Sequence, residues 1–599
     1  MGIFNMKFFR FLGFKQKPNA PWSKYYKAKE MDLNIPDLSL YEYFKENSFK
    51  YSNKYAIDYY KTKITYKNLL KKVDECATSF KYHGIRAGDV VTICMPNTPE
   101  GVIAFLALNK LGAIANMIHP LLSEIEIKNI LINTKSVMLV LIDMDYIKIK
   151  DIIKDTDVFK IIIVRPSNSM PFLMNLAYNV TVGYKTKLPH KNNLYIYWND
   201  FIKVAKKSSI DSNIKIKKHG KKNAPAVMIH SGGSTGTPKA IVLSNGNFIT
   251  LVEQSRIVFD ELEVGDKCLA IMPIFHGFGL GVCVYTPICL GAEIILLPKF
   301  NALEFDKLLT QHKPEFVIGV PTLFEALIKT KNPNLELSYL KYVISGGDTL
   351  KTSLEKQIND FLHEHGANTR ILQGYGMSES LAAVALGLKN IPKPQSVGIP
   401  FPGCYIGIFS PDDKELPYGE EGEICISGPN VMLGYYNNIK ETNLALHIHE
   451  DGNVWLHSGD LGTMDKDGFI KYTSRIKRLI VSSGYNVYPN QIETLLESHP
   501  AVMLCSVIGI PHKYKIEVPK AYIVLNKGYK ETEELIEELK NLCQKNLAKY
   551  SQPYEYEFRK SLPKTIVGKI DFRSLQEENN RRRQEENDEK EENKRWIWL

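Results

Sequence analysis

A chain of 599 residues is too long for one hydrophobic core, so several lobes are expected. Apolar residues make up 44% and charged residues 24%, the balance of an ordinary globular chain rather than a disordered or collagen-like one. The net charge of +10 suits phosphate-rich small molecules or an anionic membrane surface; with no zinc-finger spacing, RNA-recognition signature or basic helix, nucleic acid is not expected.

Residues 1–18 interleave Phe4, Phe8, Phe9, Phe11 and Phe14 with Lys7, Arg10, Lys15 and Lys17. This basic aromatic leader suits a short helix lying on an anionic bilayer, and equally a frayed segment whose rings pack on the main body. It has no continuous apolar run and no small-residue cleavage site, so a signal peptide is not expected. From about Leu38, short apolar strands at 90–94, 137–142 and 161–164 alternate with helical patterns such as 99–111. That alternation predicts an α/β protein with mostly parallel sheets. Residues 166–222 are less periodic and read as a surface excursion, within which 170–184 is apolar enough to touch a membrane or cover a pocket.

From Cys268 to Ala292 there is no Asp, Glu, Lys or Arg, a length that could span a bilayer. Pro273, His276, Pro287 and several glycines inside it favour buried strands and turns instead. Beyond the basic turn at 474–478, an apolar pattern over 492–497, strands over 506–509 and 521–525 and a helix over 531–547 outline a compact α+β unit. Residues 574–599 read as a charged tail, either a solvated helix or a disordered end. The nine cysteines never form C-x-x-C and lie in apolar surroundings, as expected of reduced core residues in a cytoplasmic protein.

The most informative stretch is Ser231 to Lys239, S-G-G-S-T-G-T-P-K, directly after the apolar run 226–229. Glycines let backbone N–H groups approach an anion, hydroxyls donate to phosphate oxygens, and lysine adds charge. The spacing is not that of a P-loop, and Pro238 between Gly236-Thr237 and Lys239 keeps a helix from running on out of the loop. Alone, the segment is either a phosphate cradle or a polar turn. Further segments rich in glycine, small polar and acidic residues follow in order: P-I-F-H-G at 273–277, S-G-G-D at 345–348, Q-G-Y-G-M-S-E at 373–379, G-E-I at 422–424, H-S-G-D at 457–460, the basic turn at Arg475, and G-K-I at 568–570.

This ordered set resembles the adenylate-forming superfamily, which includes acyl-CoA synthetases, adenylation domains and beetle luciferases, over about residues 38–573. The resemblance implies a large, multi-lobed N-terminal AMP-binding domain (19–474), a small mobile α+β C-terminal domain (475–573) with a hinge at 475–478, and the substrates ATP, Mg2+ and CoA. In the implied reaction a carboxylate attacks the α-phosphorus of ATP, pyrophosphate leaves, and a thiol captures the acyl-adenylate.

Carried over residue by residue, Ser231, Gly232, Gly233, Ser234, Thr235, Gly236 and Lys239 would hold the β- and γ-phosphates. Gly346 and Gly347 would offer one face of adenine and the Tyr375 ring the other, and Asp348, Gly374 and Gly376 would also bind ATP. Ser378 would bind the α-phosphate, and Glu379 with Thr235 would hold Mg2+. Asp460 would accept the ribose hydroxyls beside Arg475. Lys569 would be the catalytic lysine, His276 a second catalytic residue, and Lys477 the hinge residue. Ser483, Gly484 and Tyr485 would line the tunnel for the CoA thiol.

Phe275, Phe278, Val320, Met377, Leu381 and Ala382 are the residues expected near the acyl pocket, and their apolar character suits an alkyl or aryl chain. Gly232 departs from the family's common T-S-G-S-T-G and is similar to the form of bacterial fatty acyl-CoA synthetases. His276 stands about where amino-acid-activating domains carry an aspartate, which disfavours an amino acid. A fatty acid and CoA are therefore expected. The alternatives are a ligase that loads a carrier protein, one for an aryl acid, and a non-catalytic sensor of acyl-AMP. Peripheral contact with the inner membrane surface rests on the 1–18 leader.

Overall fold

The computed structural model describes residue 11 and residues 13–186, 188–207, 221–231, 239–330, 332, 334–482, 485–512, 515–564 and 570–597. The chain divides into two compact units: residues 1–407, 425–458 and 464–470, and residues 408–424, 459–463 and 471–599.

The larger unit contains two large sheets. Among the described residues, one has eight strands in the order Gly434–Tyr435, Lys239–Ser244, Pro225–Ser231, Ile114–Ile118, Val90–Cys94, Met138–Ile142, Lys160–Val164, Tyr195–Tyr197. All pairs from Pro225–Ser231 to Tyr195–Tyr197 are parallel, and the two pairs at the other edge are antiparallel. The sequence explains the parallel part. Met138–Ile142 reads M-L-V-L-I and is buried throughout, so both faces must be covered by helices. One such helix, Pro99–Lys110, is buried along its whole length; it starts at Thr98, whose side chain accepts from the Gly101 N–H, with proline at its first position.

The other sheet has nine strands in the order Ile399–Pro400, Ala385–Leu386, Ile371–Tyr375, Tyr342–Ser345, Phe316–Gly319, Lys267–Ala270, Glu293–Leu296, Tyr55–Tyr59, Thr62–Thr65. Its middle is parallel, with Gly319 beside Ser345 and Ser345 beside Gln373. The glycine-rich segments at 346–348 and 374–379 therefore leave neighbouring strands at the same carboxyl edge, where open α/β sheets bind ligands.

Two expectations are corrected. The uncharged stretch 268–292 is one buried strand followed by helix, a wide π turn over Phe278–Tyr285 and an α turn over Thr286–Leu290. Pro287 is the second residue of the α turn, directly after the π turn. Among the described residues no helix is long and apolar enough to cross a membrane. Residues 166–222 are more than an excursion: Tyr195–Tyr197 is the edge strand of the eight-stranded sheet, and Trp198–Lys207 is an α-helix.

In the smaller unit the long antiparallel pair Val502–His512 and Ile516–Leu525 is extended by Ile480–Ser482 and Tyr485–Val487, and Glu555–Phe558 runs parallel to Ile516–Leu525. Strand alternation presents two apolar faces. Val507 and Ile523 pack with Ile492, Leu496 and Leu539 of the helices Pro489–Glu497 and Glu533–Asn546. Ile508, Ile510 and Tyr522 pack with Leu575 of the final helix, Phe572–Ile597. The charged tail thus begins as a docked helix: Leu575 is buried, and Arg559 holds Glu578 at 2.8 Å. All nine cysteines are buried and free.

Candidate active site

The loop 232–238 lies outside the described residues, but its flanks are placed. Ser231 and Lys239 are paired across an antiparallel hairpin, so the loop joins two strands and no helix follows it directly. Lys239 makes an ion pair with Glu441, and its ammonium stands 5.1 Å from the centre of the Tyr435 ring. Strand pairing sets Tyr435 opposite Ile241, which is why it meets Lys239.

The Tyr435 hydroxyl donates to Glu379 Oε1 at 2.9 Å, and the Met432 N–H donates to the Glu379 carbonyl at 2.8 Å. Burial first, and then the Glu379 carboxylate, push the Tyr435 phenol well above its ordinary pKa, so it stays protonated and donating. Glu379 is only 7% exposed. A buried carboxyl group oriented by a neutral donor offers the kind of hard oxygen that a divalent cation binds.

Glu379 sits in a tightly wound turn. The chain leaves the strand Ile371–Tyr375, passes Gly376, and makes a single 3-10 turn over Ser378–Ser380. Leu381 and Ala382 then adopt φ of 54° and 70°, left-handed values unusual for side-chain-bearing residues. A Cβ at Gly376 would lie 2.3 Å from the Ala382 carbonyl oxygen, so the turn closes only with glycine there. The Ala382 N–H donates to the Met377 carbonyl at 2.8 Å.

The other predicted residues fall into two groups within this unit. Gly346 faces Phe278, whose ring would be 3.4 Å from a Cβ at that position, and Gly347, with φ of 77°, faces Val320 in the same way at 3.7 Å. Phe278 and Val320 therefore stand against the expected adenine wall. Gly374 and Tyr375 pair with Leu386 and Ala385, and Tyr375 is buried. Asp348 is exposed and accepts the Thr349 N–H at 2.8 Å. The second group surrounds the turn carrying His276. A Cβ at the adjacent Gly277 would meet Ile229 at 3.2 Å, Ala382 at 3.7 Å and Leu381 at 3.8 Å. The Phe275 ring lies 4.9 Å from that of His276 and 4.1 Å from that of His119. Burial first, then Lys148, push the His119 pKa down to about 4, so it is neutral near pH 7. Leu381 is fully buried, and Met377 is half-buried.

In the smaller unit, Arg475 Nε lies 3.0 Å from Asp460 Oδ1; the carboxylate is 3% exposed and the arginine 56%. The Gly459 N–H donates to Glu423 Oε1 at 2.8 Å, which ties the H-S-G-D segment to the G-E-I segment. Lys477 is exposed in the single turn Ile476–Arg478, whereas Arg478 is anchored to Glu493 at 2.5 Å. Tyr485 opens a strand paired with Ser482. Ser483, Gly484 and Lys569 lie outside the described residues. Tyr435 escaped the sequence reading because strand pairing brings it to Lys239 and Glu379, and Glu441 because it lies on the helix Ile439–Ala445 that follows; the G-Y-Y-N-N run at 434–438 was the available cue.

The family model for the AMP-binding enzyme matches residues 44–436, and that for the AMP-binding enzyme C-terminal domain matches residues 491–569. A long-chain-fatty-acid–CoA ligase of Bacillus subtilis (strain 168) is 33% identical over 568 residues, 93% of this chain and 98% of that protein. One of Haemophilus influenzae is 30% identical, over 82% of this chain and 86% of its own. Two solved structures share the fold: the anthranilate CoA ligase AuaEII in complex with anthranoyl-AMP (TM-score 0.77, 24% identity, 92% of this chain and 98% of that one) and ATP-bound MatB from Rhodopseudomonas palustris (TM-score 0.77, 22% identity, 90% and 99%).

Proposed function

The chain belongs to the AMP-binding enzyme family, and on that premise we propose that it joins a long-chain fatty acid to CoA through an acyl-adenylate. The observation that carries this reading is the 33% identity to a long-chain-fatty-acid–CoA ligase across 98% of that protein's length. In the first step a carboxylate oxygen bonds to the α-phosphorus of ATP as the bond to pyrophosphate breaks. In the second, the CoA thiolate attacks the acyl carbon and AMP leaves with the electron pair of the acyl–oxygen bond.

The residues divide the work by their chemistry. Ser231 and Lys239 with the loop between them would grip the β- and γ-phosphates through N–H, hydroxyl and ammonium donors. Gly346 and Tyr375 would enclose adenine, Ser378 would donate to the α-phosphate, and Asp460, oriented by Arg475, would accept from the ribose hydroxyls. Lys569 would place its charge where the carboxylate and α-phosphate oxygens meet. Glu379 fits a magnesium ligand, being a buried hard-oxygen donor already oriented by Tyr435, with Thr235 as its partner. Mg2+, when bound, neutralises triphosphate charge. Lys477 would serve as the hinge, and Ser483, Gly484 and Tyr485 would line the thiol's path. His276, Phe275, Leu381 and Ala382 would border the acyl chain.

A wall of this kind reads chain length: each methylene buried is worth about 0.8 kcal/mol, so kcat/KM should rise about fourfold per methylene until the pocket is full. Acyl-CoA formation measured over acids of increasing length tests this. Turnover of aryl or short acids with none of long-chain acids would overturn it.

Such a substrate partitions into lipid, and the chain exposes a matching surface. The helix Phe172–Tyr178 and the turn after it carry Phe172 (80% exposed), Leu173 (76%), Leu176 (54%), Val180 (67%) and Tyr184 (85%), followed by the exposed Lys185. Apolar side chains with a flanking cation suit the face of an anionic bilayer. We therefore place the protein in the cytoplasm at the inner membrane surface. Replacing Phe172, Leu173 and Leu176 by serine should weaken binding to anionic vesicles at least about tenfold and leave turnover of detergent-dispersed acid intact. Unchanged vesicle binding would contradict the assignment.

A further inference from the structure

The strand Leu446–Ile448 pairs antiparallel with Val454–Met464, with Leu446 opposite Leu456, His447 opposite Trp455 and Ile448 opposite Val454. Residues directly opposite share a face, and so do residues two apart. His447, His449, Trp455 and His457 therefore project from one face of this hairpin. The sequence H-x-H, with a third histidine eight residues later, is converted by strand pairing into a cluster of three imidazoles.

The geometry within the cluster is close. His449 Nε2 and His457 Nε2 are 3.0 Å apart. The His447 ring centre is 4.0 Å from that of His457. One ring nitrogen from each of the three lies within 4.8 Å of the other two. The rings are held from behind. Trp455 stacks on His449 at 5.7 Å, and its indole N–H donates to Asp451 at 3.1 Å. The Nδ1 edge of His457 faces the buried thiol of Cys425 at 3.6 Å, which leaves Nε2 to the cluster. His449 is buried while His447 and His457 are half-exposed, so a small ion has a route in from one side.

We propose that His447, His449 and His457 form a binding site for a divalent transition metal, with Zn2+ the best match. Two imidazole nitrogens bound to tetrahedral zinc at about 2.0–2.1 Å stand about 3.4 Å apart, so the observed pair needs to open by only a few tenths of an ångström. Three imidazoles suit Zn2+, Cu2+ or Ni2+, whereas Mg2+ prefers oxygen ligands. The site is thus chemically distinct from the carboxylate at Glu379. Without metal, the two facing Nε2 atoms must share a proton as a hydrogen bond. With metal, both present lone pairs, and the former donor carries its proton on Nδ1. For His457 that proton points at Cys425 Sγ, a weak acceptor that would fix the tautomer.

The test uses the full-length chain stripped of metal, titrated with ZnCl2 by calorimetry in the absence of nucleotide, and with Co2+ by visible absorption. One equivalent of Zn2+ should bind, and Co2+ should give the absorption of a tetrahedral nitrogen-ligated ion. The half-exposed His447→Gln should fold normally and weaken binding about 10–100-fold, and His447→Gln/His457→Gln should abolish it. No saturable binding, binding undiminished in His447→Gln, or a thiolate-to-cobalt charge-transfer band would each overturn the assignment. If the double variant does not fold, His447→Gln and the cobalt spectrum of the wild type still decide it.

Discussion

Glu379 and Tyr435 show how strand pairing sets a neutral donor beside a buried carboxyl group. The phenol stays protonated because burial and the neighbouring carboxylate disfavour its ionised form, and it donates a hydrogen bond to Glu379 Oε1. A hydrogen bond to a charged group is worth about 1.5–3 kcal/mol, so Tyr435→Phe should slow acid-dependent pyrophosphate release about tenfold or more and raise the Mg2+ concentration needed. Unchanged rates and Mg2+ dependence would remove Tyr435 from the site. Asp460→Ala should act differently, raising KM for ATP with a smaller effect at saturation, because ribose contacts serve ground state and transition state alike. Glu379 and Asp460 could be proposed from sequence because each lies inside a local motif. Tyr435 could not, because its position depends on a strand register spanning nearly two hundred residues, nor could Glu441, which lies on the helix that follows.

The turn from Gly376 to Ala382 concentrates backbone strain where the chemistry is expected. Two left-handed, side-chain-bearing residues in succession cost about 1–3 kcal/mol each and persist only where the surroundings enforce them. Gly376→Ala forces a Cβ to 2.3 Å from the Ala382 carbonyl oxygen, so it should lower Tm by several degrees and reduce adenylation with it. Wild-type stability and rate in that variant would mean the turn adapts freely. Parallel strands such as Val90–Cys94 were plain in the sequence from their unbroken apolar runs. The helix over Phe278–Leu290 was not, because a segment apolar on every side has no period to read and its prolines and glycines imitate turns. The edge strand Tyr195–Tyr197 is only three residues long and sits in a polar stretch, so pairing with Lys160–Val164, not pattern, defines it.

Across the whole molecule, two buried groups tilt stability with pH in opposite directions. Burial lowers the His230 pKa from 6.5 to about 4, so the unfolded chain takes up a proton that the native one refuses, and stability falls as pH drops from 6.5 towards 4. Burial raises Glu100 from 4.5 to about 7, so the native state holds a proton that the unfolded chain releases, and stability falls as pH rises from 4.5 through 7. Glu100→Gln, which keeps an acceptor for Ser169, should therefore raise Tm more at pH 8 than at pH 5. Equal gains at both would contradict the shift. Neither effect was visible in the sequence, where both residues look like ordinary polar positions. The alternation of strands and helices was enough to indicate the α/β fold, and the family resemblance carried by the ordered glycine-rich and acidic motifs indicated the class of chemistry. The most direct test of that chemistry is pyrophosphate release by the purified chain given ATP, Mg2+ and a long-chain fatty acid, with acyl-CoA followed after CoA is added. Acid-dependent release, with acyl-CoA appearing only on addition of CoA, is the result predicted. Well-folded protein that releases no pyrophosphate in response to any carboxylic acid would contradict it.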